Sequence, residues 1–476
     1  MSRRFKKLAR ATGWVAGALL LGGLGFHVAV GRAAHLEPPQ VSLPPGNVSK
    51  SANGIRHLGD SYARQKGKLL EVGLVGAPET IGFSHSRLMY PEMTENEGIL
   101  LGRFKEQVPL GPARKLLLDL AQLRYRHVDE QMSPDRLREI AAGAAGFQPD
   151  PYADMFPTFQ RFVYLNALYD ISLSFEGSPL IGCTTFTFDH EATTDGSGLL
   201  ARAFDFEVDD IFDRRKAVFL VRETGKIPFA SVAWPGLVGV VSGMNLEGVA
   251  VVVHGGRARE PRTVGEPVVH ALRRVLSEAR TTEDAARLLA QSSPMVSHIV
   301  IVTDAQGHSA TIERAPGVPD AVRYLPSRAA TTNHFESALR DDPKNLRVRE
   351  HTSTLPRRAR GDRLIADLPP DAHVTPADAA RFLRDRNAAD GSPLPLGDRR
   401  AVNALIATHG VIMQTGSRVL WVSEAPHLLG KFRSFDLRRL LAPDYDPERD
   451  SATGAELPED ELLTSGQYDL WKAGKK

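Results

Sequence analysis

Residues 179–188 read PLIGCTTFTF, and the character of the chain changes within this stretch. Before it, apolar residues recur at three- and four-residue spacing, as in ARKLLLDLAQLRYR over 113–126, which is typical of amphipathic helices. After it, the alternation of Thr and Phe over 184–188 predicts a strand, and a turn over 194–198 leads to a second strand over 199–208. The stretch therefore separates a mainly helical part, about 51–174, from a strand-rich part.

The strand-rich part continues as strands joined by tight turns. Strands are predicted over 217–221, 230–241 with a Pro interruption, 248–254, 297–303, 309–314, 411–415 and 418–423, with helices at about 267–291 and 376–386. No regular alternation of strand and helix and no GxGxxG motif is present. This pattern predicts an α+β protein with antiparallel sheets covered by helices.

Composition narrows the classes of function. The 476 residues are 42% hydrophobic and 24% charged, as in globular proteins with a buried core. Lys and Arg number 59 against 57 Asp and Glu, so the net charge of +2 gives no reason to expect a nucleic-acid partner. The single cysteine, Cys183, excludes an intramolecular disulfide and any zinc site built on a pair of cysteines.

The N-terminus predicts a membrane anchor. Five Lys or Arg residues lie within positions 1–10, and residues 11–31 carry no formal charge. As a helix, 21 residues extend over about 31 Å, close to one bilayer core. The basic flank should stay in the cytoplasm, which places the body outside it, on the periplasmic side of a bacterium. A signal peptide cut near Ala29-Val30-Gly31 is the alternative, and it would make the protein secreted.

The same reasoning divides the chain. Residues 1–31 form the anchor or signal, 32–50 a Pro-rich extended linker, 51–182 a helix-rich segment and 183–476 the strand-rich domain.

A lone thiol is either an inert buried residue or a reagent. Cys183 stands at the first residue of a predicted strand, directly after Gly182. Because a Gly-Cys peptide has little steric cover, the thiol can attack the carbonyl group that precedes it. Position alone leaves both possibilities open.

Four short motifs carry a resemblance to a known family. The sequence resembles the autoproteolytic acyltransferases and hydrolases of peptidase family C45 over roughly 135–440. These are N-terminal-nucleophile enzymes related to penicillin acyltransferase and, more distantly, to bile-salt hydrolases and acid ceramidase. The motifs, in chain order, are Gly182-Cys183-Thr184, Arg202-Ala203-Phe204-Asp205, Gly243-Met244-Asn245-Leu246-Glu247-Gly248 and Thr332-Asn333-His334-Phe335.

The resemblance implies a fold and a mode of activation. The fold would be a four-layer αββα sandwich over 183–476, with 51–182 as a prosegment that stays attached. Cys183 would cut the Gly182–Cys183 bond and become the N-terminal nucleophile. Its new α-amine, with an ordinary pKa of about 7.7–8.0, would serve as the general base.

The resemblance also implies roles for other residues. Asp205 would orient the new ammonium group and Arg202 would steady the thiolate, although a spacing of three puts them on opposite faces of a regular strand. Asn333 would donate to the oxyanion, and a backbone N–H near His254 or Gly255 would be the second donor. Bile-salt hydrolases carry Asn at the position of Gly255, so that side-chain donor is absent here.

A further family arginine follows the oxyanion residue. Arg360 fits it best, in competition with Arg357, Arg358 and Arg363.

The predicted substrate is a small-molecule N-acyl amide or another acyl donor, attacked by Cys183 to give an acyl-thioester. No cofactor and no metal are predicted. Two alternatives stay open: a conventional Cys/His peptidase, and a membrane-tethered binding protein with the same fold and no activity.

Overall fold

The computed structural model describes residues 21–175, 181–206, 210–450 and 454–474. Its strands form two sheets. The strands of the large sheet are β1 Ser49–Lys50, β2 Arg56–Leu58, β3 Ser61–Lys66, β4 Leu69–Gly76, β7 Ala217–Glu223, β8 Phe229–Ala233, β9 Ser242–Asn245, β10 Ala250–Gly255, β11 His298–Thr303, β12 Ser309–Arg314 and β13 Ala321–Tyr324, in this spatial order. The small sheet has the order β14 Arg328–Thr331, β5 Ile181–Phe188, β6 Leu199–Phe206, β15 Ala407–Gln414, β16 Val419–Ser423 and β17 Phe432–Asp436.

A helix, α1, extends over residues 21–33 as far as the structure describes it. The other helices are α2 Pro78–Leu88, α3 Tyr90–Gln107, α4 Gly111–Arg124, α5 Pro134–Gly146, α6 Thr158–Asn166, α7 Leu168–Leu173, α8 Asp210–Arg214, α9 Val268–Glu278, α10 Thr282–Leu289, α11 Pro343–His351, α12 Thr354–Ala366, α13 Pro376–Leu383, α14 Leu437–Leu440, α15 Glu461–Thr464 and α16 Gln467–Ala473.

The two sheets share one core. Alternate side chains of a strand point to opposite faces, and β10 shows the result: Val252 packs with Leu200 and Met413 of the small sheet, whereas Val251 and Val253 pack with the helices on the other side. Helices α12 and α13 cover the outer face of the small sheet. The layers therefore follow one another in the order helices, large sheet, small sheet, helices. This arrangement confirms the predicted α+β class.

The sequence pattern predicted a mainly helical segment over about 51–174, and the structure shows strands in its first part. Residues 49–76 contain four strands, and β4 pairs in parallel with β7 from beyond Cys183. The apolar run LLEVGLVG of β4 is almost entirely buried, so it lacks the period-two pattern of a half-exposed strand. Helices occupy most of the segment from 78 to 173. The large sheet is consequently built from both sides of the Gly182–Cys183 bond.

Buried charges also connect the two segments. Arg136 and Glu139 of α5 are ion-paired with each other and meet Glu223 and Arg273 from the segment after Cys183. Arg273 lies 2.9 Å from Glu223 and 3.2 Å from Glu139. Leaving any of these charges buried without its partners would be costly, so this cluster opposes separation of the segments.

The predicted anchor over 11–31 lies partly outside the described residues, which begin at 21. From there, α1 and the residue after it contact the rest of the chain: His27 Nδ1 lies 2.7 Å from Asp119 Oδ1, and Gln160 donates to the Ala34 carbonyl at 2.7 Å. Within the described ranges, no helix combines the length and the apolar character needed to cross a membrane.

Candidate active site

Cys183 is fully buried near the start of β5, in the centre of the candidate site. In the pairing of β5 with β6, Cys183 lies opposite Phe204 and Gly182 lies opposite Asp205. The Cys183 side chain packs in the core between the small sheet and the helix-covered large sheet, and its Sγ lies 3.9 Å from the Val253 carbonyl oxygen. The thiol therefore lies between the two sheets.

Arg202 is the charged group next to the thiol. Its Nη2 lies 3.3 Å from Cys183 Sγ and donates to the Val253 carbonyl at 2.6 Å, while its Nη1 donates to Ser242 Oγ at 2.6 Å. The guanidinium carbon also lies 3.9 Å from the centre of the Phe204 ring. These contacts fix a full positive charge beside the sulfur in a fully buried position.

The environment changes the pKa of the thiol in two directions. Burial has the largest effect and raises the pKa of Cys183, because a thiolate is poorly solvated there. Arg202 opposes this by stabilising the thiolate, whereas the nearby charge of Asp205 raises the pKa further. The net result in the uncut chain is a pKa above the ordinary value.

Asp205 flanks the Gly182–Cys183 peptide from the other face of the sheet. A side-chain Cβ at position 182 would lie 3.2 Å from Asp205 Oδ2 and 3.3 Å from its Cβ, so glycine lets the carboxylate pack closely here. Arg202 and Asp205 thus lie on opposite faces of β6, as their spacing predicts. The structure brings both to the bond, one at the sulfur and one at Gly182.

Asn333 follows β14 and connects Cys183 to the end of β10. Its Oδ1 accepts the Cys183 backbone N–H at 2.8 Å, and its Nδ2 donates to the Gly255 carbonyl at 2.9 Å. Thr354 Oγ1 accepts the Asn333 backbone N–H at 2.9 Å. The side-chain amide of Asn333 is therefore held at the Gly182–Cys183 bond, with its Nδ2 group directed to the Gly255 carbonyl.

The arginine from α12 that reaches the site is Arg357, which corrects the prediction of Arg360. Arg357 donates to the Cys183 carbonyl, to Thr184 Oγ1 at 2.9 Å and to Asn333 Oδ1 at 2.9 Å. Arg360 instead forms a bidentate pair with Asp385, at 2.8 and 2.7 Å. Both arginines are buried on the same helix, so helical periodicity alone could not have chosen between them.

Two buried histidines lie near the site without contacting the sulfur. His254 bonds to Thr185 Oγ1 at 2.7 Å, and His409 Nε2 lies 3.0 Å from Ser242 Oγ. Burial, reinforced by Arg202, lowers the pKa of each well below the ordinary value. In the described part of the chain, no histidine is hydrogen-bonded to Cys183, so the geometry gives no support to a Cys/His pair.

Sequence reasoning ranked Arg357 below Arg360 and did not single out Tyr169. Tyr169, on α7, stacks near Phe204 with ring centres 6.5 Å apart. Its hydroxyl is buried and has no hydrogen-bond partner among the described residues. No sequence motif surrounds Tyr169, because its place near Phe204 depends on how the segment before the Gly182–Cys183 bond packs against β6.

The family model of the acyl-coenzyme A:6-aminopenicillanic acid acyl-transferase matches residues 192–391. This range contains Arg202, Asp205, Asn333 and Arg357 and begins after Cys183. A protein of unspecified function from Archaeoglobus fulgidus is 27% identical over 274 residues, covering 54% of this chain and 45% of the relative. The chain thus spans about half the length of that curated relative.

Three solved structures align with about half of this chain. An N-acylethanolamine-hydrolyzing acid amidase ortholog from Caenorhabditis elegans has 14% identity and a TM-score of 0.36, covering 49% of this chain and 93% of that one. A penicillin V acylase from Agrobacterium tumefaciens has 16% identity and a TM-score of 0.35, with coverages of 53% and 91%. A conjugated bile acid hydrolase from Clostridium perfringens has 12% identity and a TM-score of 0.37, with coverages of 57% and 98%.

The family match confirms the resemblance predicted from the sequence. This chain is similar to the N-terminal-nucleophile enzymes of the penicillin acyltransferase type.

Proposed function

We propose that this chain is an amide hydrolase or acyltransferase that cuts its own Gly182–Cys183 bond and then uses Cys183 as its nucleophile. The observation that carries the proposal is the arrangement at that bond. Arg202 lies at the sulfur, Asp205 packs against Gly182, and Asn333 holds the Cys183 backbone N–H. Charge and hydrogen bonding are thereby concentrated on one peptide bond of a buried strand.

Self-cleavage would begin when the Cys183 thiolate attacks the Gly182 carbonyl carbon. The C–N bond breaks, the nitrogen takes up a proton to become the α-amine, and Gly182 is held as a thioester. Water then attacks the thioester and releases Gly182 as a carboxylic acid and Cys183 as a free thiol. Arg202 supports the first step because it stabilises the thiolate that attacks.

Turnover would repeat the same chemistry on a substrate amide. The α-amine of Cys183 takes the thiol proton, the sulfur attacks the acyl carbon, and the amine delivers the proton to the leaving nitrogen. Asn333 Nδ2 would exchange the Gly255 carbonyl for the substrate oxyanion. Water attacking the acyl-thioester makes a hydrolase, and an amine or thiol acceptor makes an acyltransferase.

Other features of the protein follow from the proposal. The four layers would be the αββα sandwich of the N-terminal-nucleophile enzymes. Residues 51–182 would stay attached after cleavage, because β4 pairs with β7 and because the buried charges around Glu139 connect the two segments. The basic flank and apolar run at the N-terminus further lead us to propose that the body lies outside the cytoplasm.

The activity test is a panel of N-acyl amides incubated with the purified protein. We expect the wild-type protein to release free amine and to carry an acyl group on the 183–476 chain in a rapid acid quench. Cys183→Ala should release none, and Ser293→Ala, at an exposed position after α10, serves as the control. Amine release by Cys183→Ala would rule out Cys183 as the nucleophile.

A further inference from the structure

Every described partner that holds Arg202 beside the sulfur is uncharged. Besides its bonds to Ser242 and the Val253 carbonyl, its Nη1 lies 3.4 Å from the Val241 carbonyl oxygen and 3.4 Å from His409 Nε2. In the ranges that the structure describes, no carboxylate forms an ion pair with Arg202, although its side chain is fully buried. A buried charge without a counter-charge is costly, so folding stability alone does not explain this arrangement.

The directions of the hydrogen bonds in this group follow from its donors. The guanidinium of Arg202 can only donate, so Ser242 Oγ accepts from Nη1 at 2.6 Å. The hydroxyl proton of Ser242 is then directed to His409 Nε2 at 3.0 Å, which must carry a lone pair. His409 is therefore neutral, with its proton on Nδ1, and it is the last acceptor of a chain that begins at Arg202.

A β-bulge directs His409 to the face of the sheet that carries the thiol. The pairing of β15 with β6 shifts by one residue at Thr408, so that His409 lies opposite Phe204. In an unbroken register Thr408 would stand there, and His409 would point to the other face, since side chains alternate along a strand. Phe204 also lies opposite Cys183 in the pairing of β5 with β6. His409 and the thiol therefore share one face.

The surroundings of His409 would suit an apolar ring. Its ring centre lies 5.2 Å from that of Phe204 and 5.9 Å from that of Trp234. Its Nδ1 is buried and has no hydrogen-bond partner among the described residues, which is destabilising for a polar atom. A phenylalanine would keep the packing and avoid this cost, so the acceptor at Nε2 is what distinguishes histidine at this position.

We propose that Ser242 and His409 are positioning residues, which hold the guanidinium of Arg202 at the sulfur through neutral acceptors only. A carboxylate in their place would also hold Arg202 but would offset its charge. With neutral partners, the whole charge of Arg202 acts on the thiolate of Cys183. This inference rests on the proposed function of Cys183, and it adds two residues to the first step of self-cleavage.

Other titratable groups also surround the thiol and this chain. Those that act on Cys183 are Asp205, Arg357 and Tyr169. His254 and Lys216 are the further groups near Arg202 and His409. Because the variants below leave all five in place, a change in the pH dependence of Cys183 can be assigned to Arg202 and its two partners.

The first test compares His409→Phe with His270→Phe in rate–pH profiles of self-cleavage, measured on pulse-labelled protein. His270 is a second buried histidine, and neither of its ring nitrogens has a hydrogen-bond partner in the described part of the chain, so it provides the matched control. An opposite charge at close range lowers a pKa by about 1–3 units, so a loosened Arg202 should move the His409→Phe profile by about 0.5–1 unit to higher pH. His270→Phe should not move it. A purely structural role of His409 would lower the rate at every pH and leave the midpoint in place.

A second pair of variants tests the charge itself. Ser242→Asp introduces a carboxylate next to Arg202 Nη1, whereas Ser242→Asn is similar in size to that variant and stays neutral. We expect Ser242→Asp to move the profile to higher pH by about 1 unit or more, and Ser242→Asn to move it less than half as far. In an Arg202→Gln background, His409→Phe should cause no further shift, because the charge that it positions is already gone.

The ionisation of the thiol gives a readout that does not require cleavage. Cys183 is the only cysteine, so cysteine labelled with ¹³C at Cβ gives one NMR resonance whose position follows the thiolate fraction. If the wild-type protein is cut, and His409→Phe and Ser242→Asp titrate as the wild type does in both measurements, the positioning role is refuted and the proposed function stands. If the wild-type protein stays uncut, and both variants still move the resonance midpoint to higher pH, the proposed function fails and the positioning role stands.

Discussion

Exchange of Arg357 for Gln should slow self-cleavage without preventing folding. The guanidinium connects three groups at the bond, namely the Cys183 carbonyl, Thr184 Oγ1 and Asn333 Oδ1. Gln is too short to reach all of them and carries no charge. Arg360, one helical turn away and paired with Asp385 instead, provides a matched control because Arg360→Gln makes the same chemical change on the same helix.

The magnitudes follow from the contacts. A hydrogen bond to a charged group contributes about 1.5–3 kcal/mol, so loss of the bond that orients Asn333 should slow cleavage about 10- to 100-fold. Burial lowers the pKa of Arg357, because placing its charge in the interior is costly. Arg357→Gln removes that cost, so part of the folding stability lost with the hydrogen bonds should be regained. Arg360→Gln should lower the free energy of unfolding by about 1–3 kcal/mol and leave the cleavage rate within 2-fold of wild type.

The assay follows pulse-labelled protein from cell-free translation on denaturing gels, with thermal unfolding measured in parallel. We expect Arg357→Gln to fold but to cleave slowly. We expect Arg360→Gln to cleave at about the wild-type rate but to unfold at a lower temperature. The reasoning is refuted if Arg360→Gln slows cleavage as much as Arg357→Gln does, or if a folded Arg357→Gln cleaves at the wild-type rate.

Three further predictions address the charges and the segments. Asn333→Ala should lower kcat about 100-fold or more with a much smaller change in KM in steady-state assays, because its N–H meets the oxyanion only in the transition state; a change confined to KM would contradict this. Self-cleavage should speed up as pH rises through the raised pKa of the Cys183 thiol, with Arg202→Gln moving this rise to higher pH and Asp205→Asn to lower pH in rate–pH profiles; opposite shifts would contradict the assigned charges. The two cleaved chains should co-elute in size-exclusion chromatography until a denaturant is added, and early separation would show that β4 and the charges around Glu139 do not hold them.

The sequence was informative where the structure depends on local signals. The predicted hairpins over 297–314 and 411–423 are present as β11–β12 and β15–β16. Thr375 caps α13 as its Thr-Pro-Ala-Asp sequence predicts, with Asp378 completing a capping box. The predicted helix over 267–291 is divided by Thr281, whose side chain caps α10. In each case a turn or a cap determines the backbone over a few residues.

The sequence failed where the outcome depends on distant partners. β4 owes its place to a parallel pairing with β7, and such pairing leaves no mark beyond a buried apolar run. The strand predicted over 230–241 ends at Ala233, and β9 begins only at Ser242. Arg357 and Arg360 are both buried, and only the positions of Asn333 and Asp385 decide which one reaches the Cys183 carbonyl.

The central claim concerns one peptide bond, and the intact mass of the purified protein tests it most directly. Wild-type protein should contain a chain of 476 − 182 = 294 residues beginning at Cys183, together with a chain that ends at Gly182. Cys183→Ala should give one uncut chain under the same conditions. A wild-type protein that stays uncut, or a Cys183→Ala protein that is still cut between residues 182 and 183, would contradict the account.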